Sequence, residues 1–488
     1  MSTYRITLLP ENRQLQASHG DNLLSVLQEA DFPIDAPCGG NGKCGKCHVL
    51  VDGHMEAACH YRIQKNITVA FPKKEPLQIL QNREDVSVPA DGENAYVLAF
   101  DIGTTTVACA LLDGKSGKAL AQCGAPNPQS RFGGDVVSRL RYVLENGIQS
   151  PKEAILGTLS ALTLEAAQAA GLTPDQISLA AIAGNTAMHH LLLGIDPTPL
   201  THPPYMPAVR DAMVLPAGGL LPIHPDGLLR ILPNIAGFVG GDTVGCLCAT
   251  HFDLEEDLTL LIDAGTNAEM VLGNRHHRIT CSAAAGPAFE GVGICQGMYA
   301  AKGAIDRVFL DGGQLRYHTI GQREAIGLCG SGLLDLIAVL LETGEISGSG
   351  LLKENAFQLP DSMVALTRKD VRQVQLAKSA VRSGIELMCH AMGVTPEQIH
   401  KVYLAGAFGN YLDPVSACRI GMIPPILQNR IHAIGNAALT GIKMCALSNL
   451  RFETAKRMAA ETEFLELASL PQFQDCFVDN LLFEDEES

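Results

Sequence analysis

Short apolar runs, bounded by glycine and polar turn residues, predict the elements at the start of the chain. Apolar and polar positions alternate along Tyr4–Leu9, which predicts a strand. Leu23–Ala30 has apolar residues at helical spacing and predicts a short helix. Val49–Val51 and Ile67–Phe71 predict later strands. The pattern therefore indicates a small α+β domain.

A polar segment with two prolines, residues 76–95, follows and is typical of a linker. A second pattern then begins. An apolar run ends at Asp101 and continues as DIGTTT (101–106), and another ends at Asp263 and continues as DAGTNA (263–268). Both predict a strand, a tight turn and a returning strand. The two motifs are 162 positions apart.

A second pair of segments supports an internal duplication. GLTPDQISLAAIAGN (171–185) and GVTPEQIHKVYLAGA (393–407) share residues at seven positions and are 222 positions apart. The second copy therefore holds about 60 more residues than the first. In each segment a threonine, a proline and a glutamine predict a capped helical turn before a buried strand. Two similar α/β subdomains around a cleft are expected.

Composition narrows the class of protein. The 488 residues carry 36 Lys and Arg against 52 Asp and Glu, a formal charge of −16. This acidic balance disfavours nucleic acid or an anionic membrane as the main partner. The hydrophobic fraction of 47% argues against disorder, and the sequence shows neither a membrane-spanning apolar run nor a signal-peptide core. Fifteen cysteines without an export signal favour a reducing compartment, so a cytoplasmic location is expected.

Four cysteines within 22 residues are the strongest chemical signal. Cys38, Cys44, Cys47 and Cys59 follow a C-x5-C-x2-C-x11-C pattern, with glycines between the first three. A 2Fe–2S cluster needs four converging thiolates, and glycines let the loop turn tightly around it. A zinc site is the alternative, but structural zinc usually takes two close-spaced pairs, and here Cys44 and Cys47 form the single such pair. With the flanking elements, this region resembles a plant-type or β-grasp ferredoxin.

The repeated Asp-x-Gly-Thr turns predict a nucleotide site. Backbone N–H groups and hydroxyls of such turns can hold phosphates, and the leading Asp101 and Asp263 can place Mg²⁺. The candidate phosphate-binding residues are Gly103, Thr104, Thr105, Gly265, Thr266 and Asn267. The turn Gly406, Ala407, Phe408 and Gly409 lets backbone approach a flat ligand. The chain contains neither a P-loop motif nor a Rossmann fingerprint at a suitable place.

Other positions allow two interpretations. Gly184, Asn185 and Thr186 fit either a cleft-facing turn or a helix cap, and Gly330 and Ser331 fit either a nucleotide-facing turn or a plain helix start. Glu290 fits either a contact with Mg²⁺ or a partner, or an acid at a helix start. Asn436 fits a site contact or packing.

These motifs together resemble known families. DIGTTT, DAGTNAE and LAGAFGN (404–410) are similar to the two phosphate motifs and the adenosine motif of the acetate and sugar kinase, heat-shock chaperone and actin superfamily. With the ferredoxin-like start, the whole chain resembles the reductive activators of corrinoid-dependent methyl-transfer proteins. Stretches such as NPQSRFGGDVVSRL (127–140) and GLCGSGLLDL (327–336) extend this resemblance over most of the chain.

The resemblance implies an architecture and a reaction. A β-grasp ferredoxin domain (1–75) and a linker (76–95) would precede a duplicated RNase H-like, actin-like ATPase of two α/β subdomains (96–256 and 257–488). A 2Fe–2S cluster, ATP and Mg²⁺ would be the cofactors. The chain would use ATP to pass an electron to a corrinoid protein and restore Co(I) from Co(II). An upstream electron donor and a homodimer are further expectations.

One departure from the family pattern bears on the architecture. Longer family members place an extra domain between the ferredoxin and ATPase parts, whereas here Cys59 and Asp101 are 42 positions apart, which predicts its absence. The motifs equally fit an activator of another low-potential metalloenzyme. They also fit a small-molecule kinase with a regulatory ferredoxin domain, or a redox-sensing scaffold that binds ATP without turnover.

Overall fold

The computed structural model describes most of the chain and divides it into two compact units. One unit comprises residues 1–76 and 128–151, and the other comprises residues 77–127 and 152–488. The described residues are 3–30, 32, 34, 40, 42, 47–71, 88, 90–91, 94–409 and 411–483, with the backbone alone at 407–408.

The first unit contains a five-stranded mixed sheet packed against a helix. Its elements are β1 Thr3–Leu9, β2 Arg13–Ser18, α1 Leu23–Glu29, β3 His48–Val51, β4 His54–Ala57, β5 Ile67–Ala70 and α2 Val136–Asn146. The strand order is β2-β1-β5-β3-β4, with β1 parallel to β5 and the neighbouring hairpins antiparallel. Leu23 and Leu27 of α1 are fully buried in the core beneath this sheet. A hairpin followed by a helix that packs across the sheet is the predicted β-grasp arrangement.

The second unit begins with a six-stranded sheet. Its elements are β6 Tyr96–Ile102, β7 Thr106–Asp113, β8 Ala119–Pro126, α3 Gln149–Ala169 (which starts in the first unit), β9 Ile177–Gly184, α4 Thr186–Leu193, β10 Met213–Pro216, β11 Leu228–Ile231 and α5 Gly241–Ala249. The strand order is β10-β11-β9-β6-β7-β8. Strands β6, β7 and β8 form an antiparallel meander, and β9 runs parallel to β6.

A second six-stranded sheet and several further strands outside it complete the same unit. The strands of the sheet and those outside it are, in chain order, β12 Thr259–Ala264, β13 Ala268–Gly273, β14 Arg278–Ala283, β15 Ala304–Asp311, β16 Gln314–Thr319, β17 Gly327–Leu328, β18 Ala356–Gln358, β19 Ala365–Thr367, β20 Lys401–Ala405, β21 Ile431–Ala433 and β22 Glu463–Phe464. The remaining helices are α6 Gly330–Glu342, α7 Arg368–Met392, α8 Gly406–Gly409, α9 Pro414–Arg419, α10 Ala437–Leu447, α11 Asn449–Glu461 and α12 Phe473–Asp479.

The two sheets repeat one topology. In the second sheet the order is β21-β20-β12-β13-β14-β22, again with an antiparallel meander and a parallel strand beside its first member. Both predicted capping boxes are present, at Thr173 with Gln176 and at Thr395 with Gln398. The extra residues of the second copy lie between β14 and β20, where they form β15–β19 and α6.

Two helices pack closely in the core that the two repeats share. Buried residues of both sheets belong to one hydrophobic cluster with α5 and α10, including Val97 of β6 and Leu261 of β12. Gly245 of α5 and Gly441 of α10 permit the contact, since a Cβ on Gly441 would lie 1.8 Å from the Gly245 carbonyl oxygen. Within the described residues, no helix combines the length and apolar character needed to cross a membrane.

The end of the predicted linker is attached to helix α11. Asp91 accepts hydrogen bonds from the Asn449 N–H at 2.6 Å, the Leu450 N–H at 3.1 Å and the Ser448 hydroxyl at 2.8 Å. The N–H groups of Asn449 and Leu450 are first-turn donors that a helix cannot satisfy internally. Burial acts to raise the pKa of Asp91, but these hydrogen bonds outweigh it and lower the pKa below its ordinary value.

Replacing Asp91 with alanine should loosen the start of α11. Loss of the three hydrogen bonds should cost about 1–2 kcal/mol of local stability, which speeds opening about 5–30-fold. Hydrogen–deuterium exchange of the amides at 449–452 in the full chain measures this. Asp226→Ala, at an exposed turn, is the matched control. Unchanged exchange in Asp91→Ala would contradict this account of the contact.

Candidate functional site

The two Asp-x-Gly-Thr turns connect equivalent strands of the two repeats. DIGTTT joins β6 to β7, and DAGTNA joins β12 to β13. Each turn is closed by a backbone hydrogen bond, from Gly103 N–H to Thr106 O and from Gly265 N–H to Asn267 O, both 2.9 Å. The leading aspartates are also equivalent, because Asp101 pairs with Ala183 and Asp263 pairs with Ala405 on the adjacent parallel strand. The duplication therefore places two like turns at the same edge of two like sheets.

Helices α5 and α10 add two polar residues beside these aspartates. Asn436, the N-cap of α10, donates from Nδ2 to Asp101 Oδ2 at 3.1 Å and accepts from the Leu439 N–H at 2.8 Å. Asp242 lies in the first turn of α5 and accepts from the Thr243 N–H at 2.8 Å. The contact between Asn436 and Asp101 spans 335 residues, so spacing along the chain gave no indication of it.

The carboxylates influence one another's ionisation. Burial raises the pKa of Asp101 to about 6, with the Asp263 carboxylate as a further cause. Burial and then the charges of Asp263 and Asp101 raise the pKa of Asp242 to about 7. Burial also raises the pKa values of Asp263 and Glu269. Several acids therefore share a region that disfavours their charged forms.

The described partners of these acids are neutral groups. The Cys246 thiol donates to Asp263 Oδ2 at 3.6 Å, and the Ser282 hydroxyl donates to Glu269 Oε1 at 3.1 Å. All four acids are partly exposed, so a ligand from solvent can reach them. Carboxylates that are held partly away from water are costly to ionise without a cation, so the region is suited to a bound metal ion.

The donor set fits Mg²⁺ held together with a nucleotide. Among the described residues, no group of three or more His, Cys, Asp and Glu side chains is arranged to hold a metal ion by itself. Mg²⁺ usually binds one or two carboxylates together with waters and substrate phosphates. Asp101, Asp263 and Asp242 can supply the carboxylates, and the N-termini of α4, α5 and α10 favour the negative charge of phosphates.

The Gly184–Thr186 turn contacts the DIGTTT turn. Asn185 donates from Nδ2 to the Thr104 hydroxyl at 3.0 Å and also caps α4 by accepting from the Met188 N–H. Asn185 is therefore a helix cap that also contacts the DIGTTT turn, and a role at the nucleotide stays a prediction. Thr186 is fully buried and donates to the Ala236 carbonyl oxygen at 2.6 Å. An added Cβ at Gly184 would lie 2.5 Å from the Ile102 carbonyl oxygen, so glycine permits this packing.

The predicted adenosine turn lies directly against Asp263. Gly406 adopts φ +91°, and a Cβ there would lie 2.9 Å from Asp263 Oδ1. Its N–H donates to the Gly435 carbonyl oxygen at 3.0 Å, one residue before Asn436. Gly409 ends the short helix α8, whereas the side chains of Ala407 and Phe408 lie outside the described residues.

The Gly330–Ser331 turn begins α6 and contacts β15. In the described part of the chain, the Ser331 hydroxyl donates to the Asp306 carbonyl oxygen at 2.8 Å and lies 3.5 Å from the Cys329 sulfur. These contacts fit a helix start. A nucleotide contact at Gly330 and Ser331 stays a prediction.

Two threonines of the phosphate turns meet at one carboxylate. Thr105 donates to Glu290 Oε2 at 3.2 Å, and Thr266 donates to Glu290 Oε1 at 2.6 Å. Sequence reasoning missed Asp242 and Glu269 as site residues and gave Glu290 and Asn436 no settled role. An acid in the otherwise uncharged helix GDTVGCLCA is the signal that could have indicated Asp242.

Two of the four predicted cluster ligands are described. Cys47 and Cys59 are buried, and the Cys59 N–H donates to the Cys47 sulfur at 3.4 Å. Gly40 and Gly42 have positive φ, and a Cβ on Gly42 would lie 2.4 Å from the His60 ring. A close glycine loop with a backbone N–H directed at a thiol fits an iron–sulfur cluster. Cys38 and Cys44 lie outside the described residues.

Family profiles match the chain in three consecutive parts. A 2Fe-2S iron-sulfur cluster binding domain matches residues 6–75, the RACo middle region matches residues 96–255, and the C-terminal domain of RACo, the ASKHA domain, matches residues 257–488. The predicted fold class and the predicted cofactors, a 2Fe–2S cluster, ATP and Mg²⁺, are thereby confirmed.

Two curated relatives match most of the chain. The corrinoid activation enzyme RamQ of Eubacterium limosum is 34% identical over 420 residues, which cover 80% of this chain and 70% of the relative. The [Co(II) methylated amine-specific corrinoid protein] reductase of Methanosarcina barkeri is 27% identical over 427 residues, which cover 80% and 77% of the respective chains.

A solved structure also matches the fold of this chain. The reductive activator for corrinoid, iron-sulfur protein superposes with a TM-score of 0.73 at 30% identity and covers 98% of each chain. The resemblance expected from the sequence is confirmed. The chain is an ATP-dependent enzyme that belongs to the family of reductive activators of corrinoid proteins.

Proposed function

We propose that this chain reactivates a corrinoid protein by adding one electron to Co(II) and restoring Co(I). The observation that carries the proposal is that one chain combines a four-cysteine, ferredoxin-like segment with two equivalent Asp-x-Gly-Thr turns of a duplicated fold. The relatives named above support the corrinoid protein as substrate. In this reaction the protein releases one electron for each Co(II) that is reduced to Co(I).

The cysteine residues determine how the electron is held. Cys38, Cys44, Cys47 and Cys59 would ligate the cluster, which supplies single electrons at low potential when bound. Burial of Cys47 and Cys59 limits contact with water, and the Cys59 N–H can stabilise negative charge on a neighbouring sulfur. An upstream electron donor belongs to the proposal, because each transfer leaves the N-terminal domain one electron short.

The residues between the two repeats would bind Mg-ATP. Asp101 and Asp263 are proposed to place Mg²⁺, with Asp242 nearby. Gly103, Thr104, Thr105, Gly265, Thr266 and Asn267 are proposed to hold phosphates, and Gly406–Gly409 to line the adenosine. Asn436 on α10 contacts Asp101, and Gly406 packs on Asp263. Binding or hydrolysis of the nucleotide would therefore affect residues of both repeats at the same time.

Three further features complete the proposal. The proposed domain boundaries are 1–75, 96–256 and 257–488. The separate core beneath β1–β5 and the two repeated sheets support them, whereas residues 128–151 belong to the first compact unit. A cytoplasmic location is supported by the fifteen cysteines. A homodimer stays a prediction.

Two variants should separate electron transfer from nucleotide use. Cys59→Ser should reduce ATP-dependent formation of Co(I) to background and leave ATP binding intact, because its site lies in the domain before the linker. Asp263→Asn should lower ATP hydrolysis about 100-fold or more and leave the visible spectrum of the iron–sulfur domain unchanged. Corrin absorbance of a Co(II) corrinoid protein, followed anaerobically with Mg-ATP and a reductant, measures Co(I) formation, and release of inorganic phosphate measures hydrolysis.

Cys295→Ser, at an exposed cysteine, is the matched control and should retain activity. Full Co(II) reduction by Cys59→Ser would overturn the cluster assignment. Normal hydrolysis by Asp263→Asn would overturn the nucleotide site. Phosphate transferred to a small molecule would favour a kinase, and reduction of a corrin-free metalloenzyme alone would favour an activator of that class of enzyme.

The raised pKa values also predict a pH dependence of stability. In the folded chain the pKa of Asp242 is raised to about 7 and that of Asp101 to about 6, whereas both are near 4 when unfolded. The folded state therefore binds more protons between these values, and its stability falls as pH rises from about 4 to about 7.

Asp242→Asn should lose less stability than the wild type across this interval, because the amide does not ionise. The difference in melting temperature between variant and wild type, measured without nucleotide or Mg²⁺, should grow by at least about 2 °C from pH 5 to pH 7.5. Asp226→Asn, at an exposed turn, is the control. A difference that does not change with pH would show that Asp242 is ionised throughout.

A further inference from the structure

Glu290 connects the phosphate turns of the two repeats. It ends the 3₁₀ turn Pro287–Glu290, which follows β14. Its two carboxylate oxygens accept separate hydrogen bonds, Oε2 from Thr105 of the first repeat and Oε1 from Thr266 of the second. The Glu290 side chain is partly exposed, so the contact lies where a ligand can enter from solvent.

The backbone around Glu290 is anchored on one side. Gly291, immediately after it, has φ +73°, and a Cβ there would lie 2.5 Å from the Met298 nitrogen. Gly286, at the start of the turn, has φ +75°, and a Cβ there would meet no atom within 4 Å. The turn is therefore packed at its end and open at its beginning, and Ala288 and Phe289 within it are buried in the core. The core thus holds the backbone of the turn, whereas the Glu290 carboxylate at its end is partly exposed.

The Glu290 carboxylate and a phosphate would compete for the hydroxyl groups of the two threonines. A threonine hydroxyl has one O–H to donate, and in this structure the Thr105 and Thr266 hydroxyls donate to Glu290. A phosphate oxygen is an alternative acceptor for the same hydrogen. The Glu290 carboxylate and a phosphate also repel each other, so both anions cannot be held by these hydroxyls at once.

We propose that Glu290 is an internal anion that occupies the hydroxyls of Thr105 and Thr266 until a nucleotide phosphate displaces it. Glu290 is then a positioning residue that opposes nucleotide binding in the resting chain. ATP has one more phosphate than ADP, and both turns must receive phosphate oxygens. Glu290 should therefore weaken the binding of ATP more than the binding of ADP. This inference rests on the proposed nucleotide site at the same turns.

Removing the carboxylate should strengthen ATP binding. In Glu290→Ala the two hydroxyls are left for phosphate, and the repulsion is lost. ATP should then bind about 5–30-fold more tightly, as expected for one competing charged hydrogen bond, and ADP affinity should change less than about threefold. Isothermal titration of the anaerobic full chain with ATP and with ADP, in excess Mg²⁺, measures both affinities.

A double variant tests whether the effect passes through the hydroxyl. Thr266→Val removes the donor to Oε1, so the gain from Glu290→Ala should be smaller in the Thr266→Val background than alone. Glu324→Ala, at an exposed glutamate elsewhere in the second repeat, is the matched control and should leave both affinities unchanged. Melting temperatures near that of the wild type establish that each variant is folded.

Several results would overturn the proposal. Weaker ATP binding in Glu290→Ala would assign Glu290 to the metal ion instead. Unchanged affinity with slower hydrolysis would make it a catalytic residue, and equal strengthening of ATP and ADP would remove its selective role. If Asp263→Asn binds ATP as tightly as the wild type does, the proposed nucleotide site is overturned, and this inference falls with it. That single variant therefore distinguishes failure of the nucleotide site from failure of the Glu290 inference.

Discussion

The concentration of carboxylates between the two repeats is the constraint on which the site depends. Asp101 and Asp263 come from equivalent strand ends, and Asp242 and Glu269 raise the negative charge further. Burying such charges without cations is unfavourable, and burial here raises their pKa values instead. A cation bound in this region would therefore stabilise the charged carboxylates, and Mg²⁺ bound with a nucleotide can supply that positive charge.

Close helix packing holds this acidic region together. Gly245 and Gly441 bring α5 and α10 into backbone contact between the two sheets. Their N-termini then place Asp242 and Asn436 beside the aspartates. Partial positive charge at helix N-termini offsets part of the carboxylate repulsion. Larger side chains at either glycine would separate the helices, and with them the two halves of the site.

Local chemistry made much of the fold predictable. The turns after Asp101 and Asp263 were predicted because glycine and threonine at fixed positions specify them, and Thr173 and Thr395 cap the turns assigned to them. Contacts between distant segments were not predictable in this way. Asp242 carries no motif of its own, and the threonine contacts of Glu290 come from 185 and 24 residues away. Such contacts arise when the two sheets fold together.

Helix α10 contacts the acidic region at one end and the segment that precedes the ATPase part at the other. Its N-cap, Asn436, contacts Asp101, and its C-cap, Ser448, donates to Asp91 near the end of the predicted linker. A helix of 11 residues is stiff over its length of about 16 Å. Displacement of α10 by a change at Asp101 must therefore also act on Asp91. The segment that leads to the iron–sulfur domain is thus hydrogen-bonded to the end of the helix whose N-cap contacts Asp101.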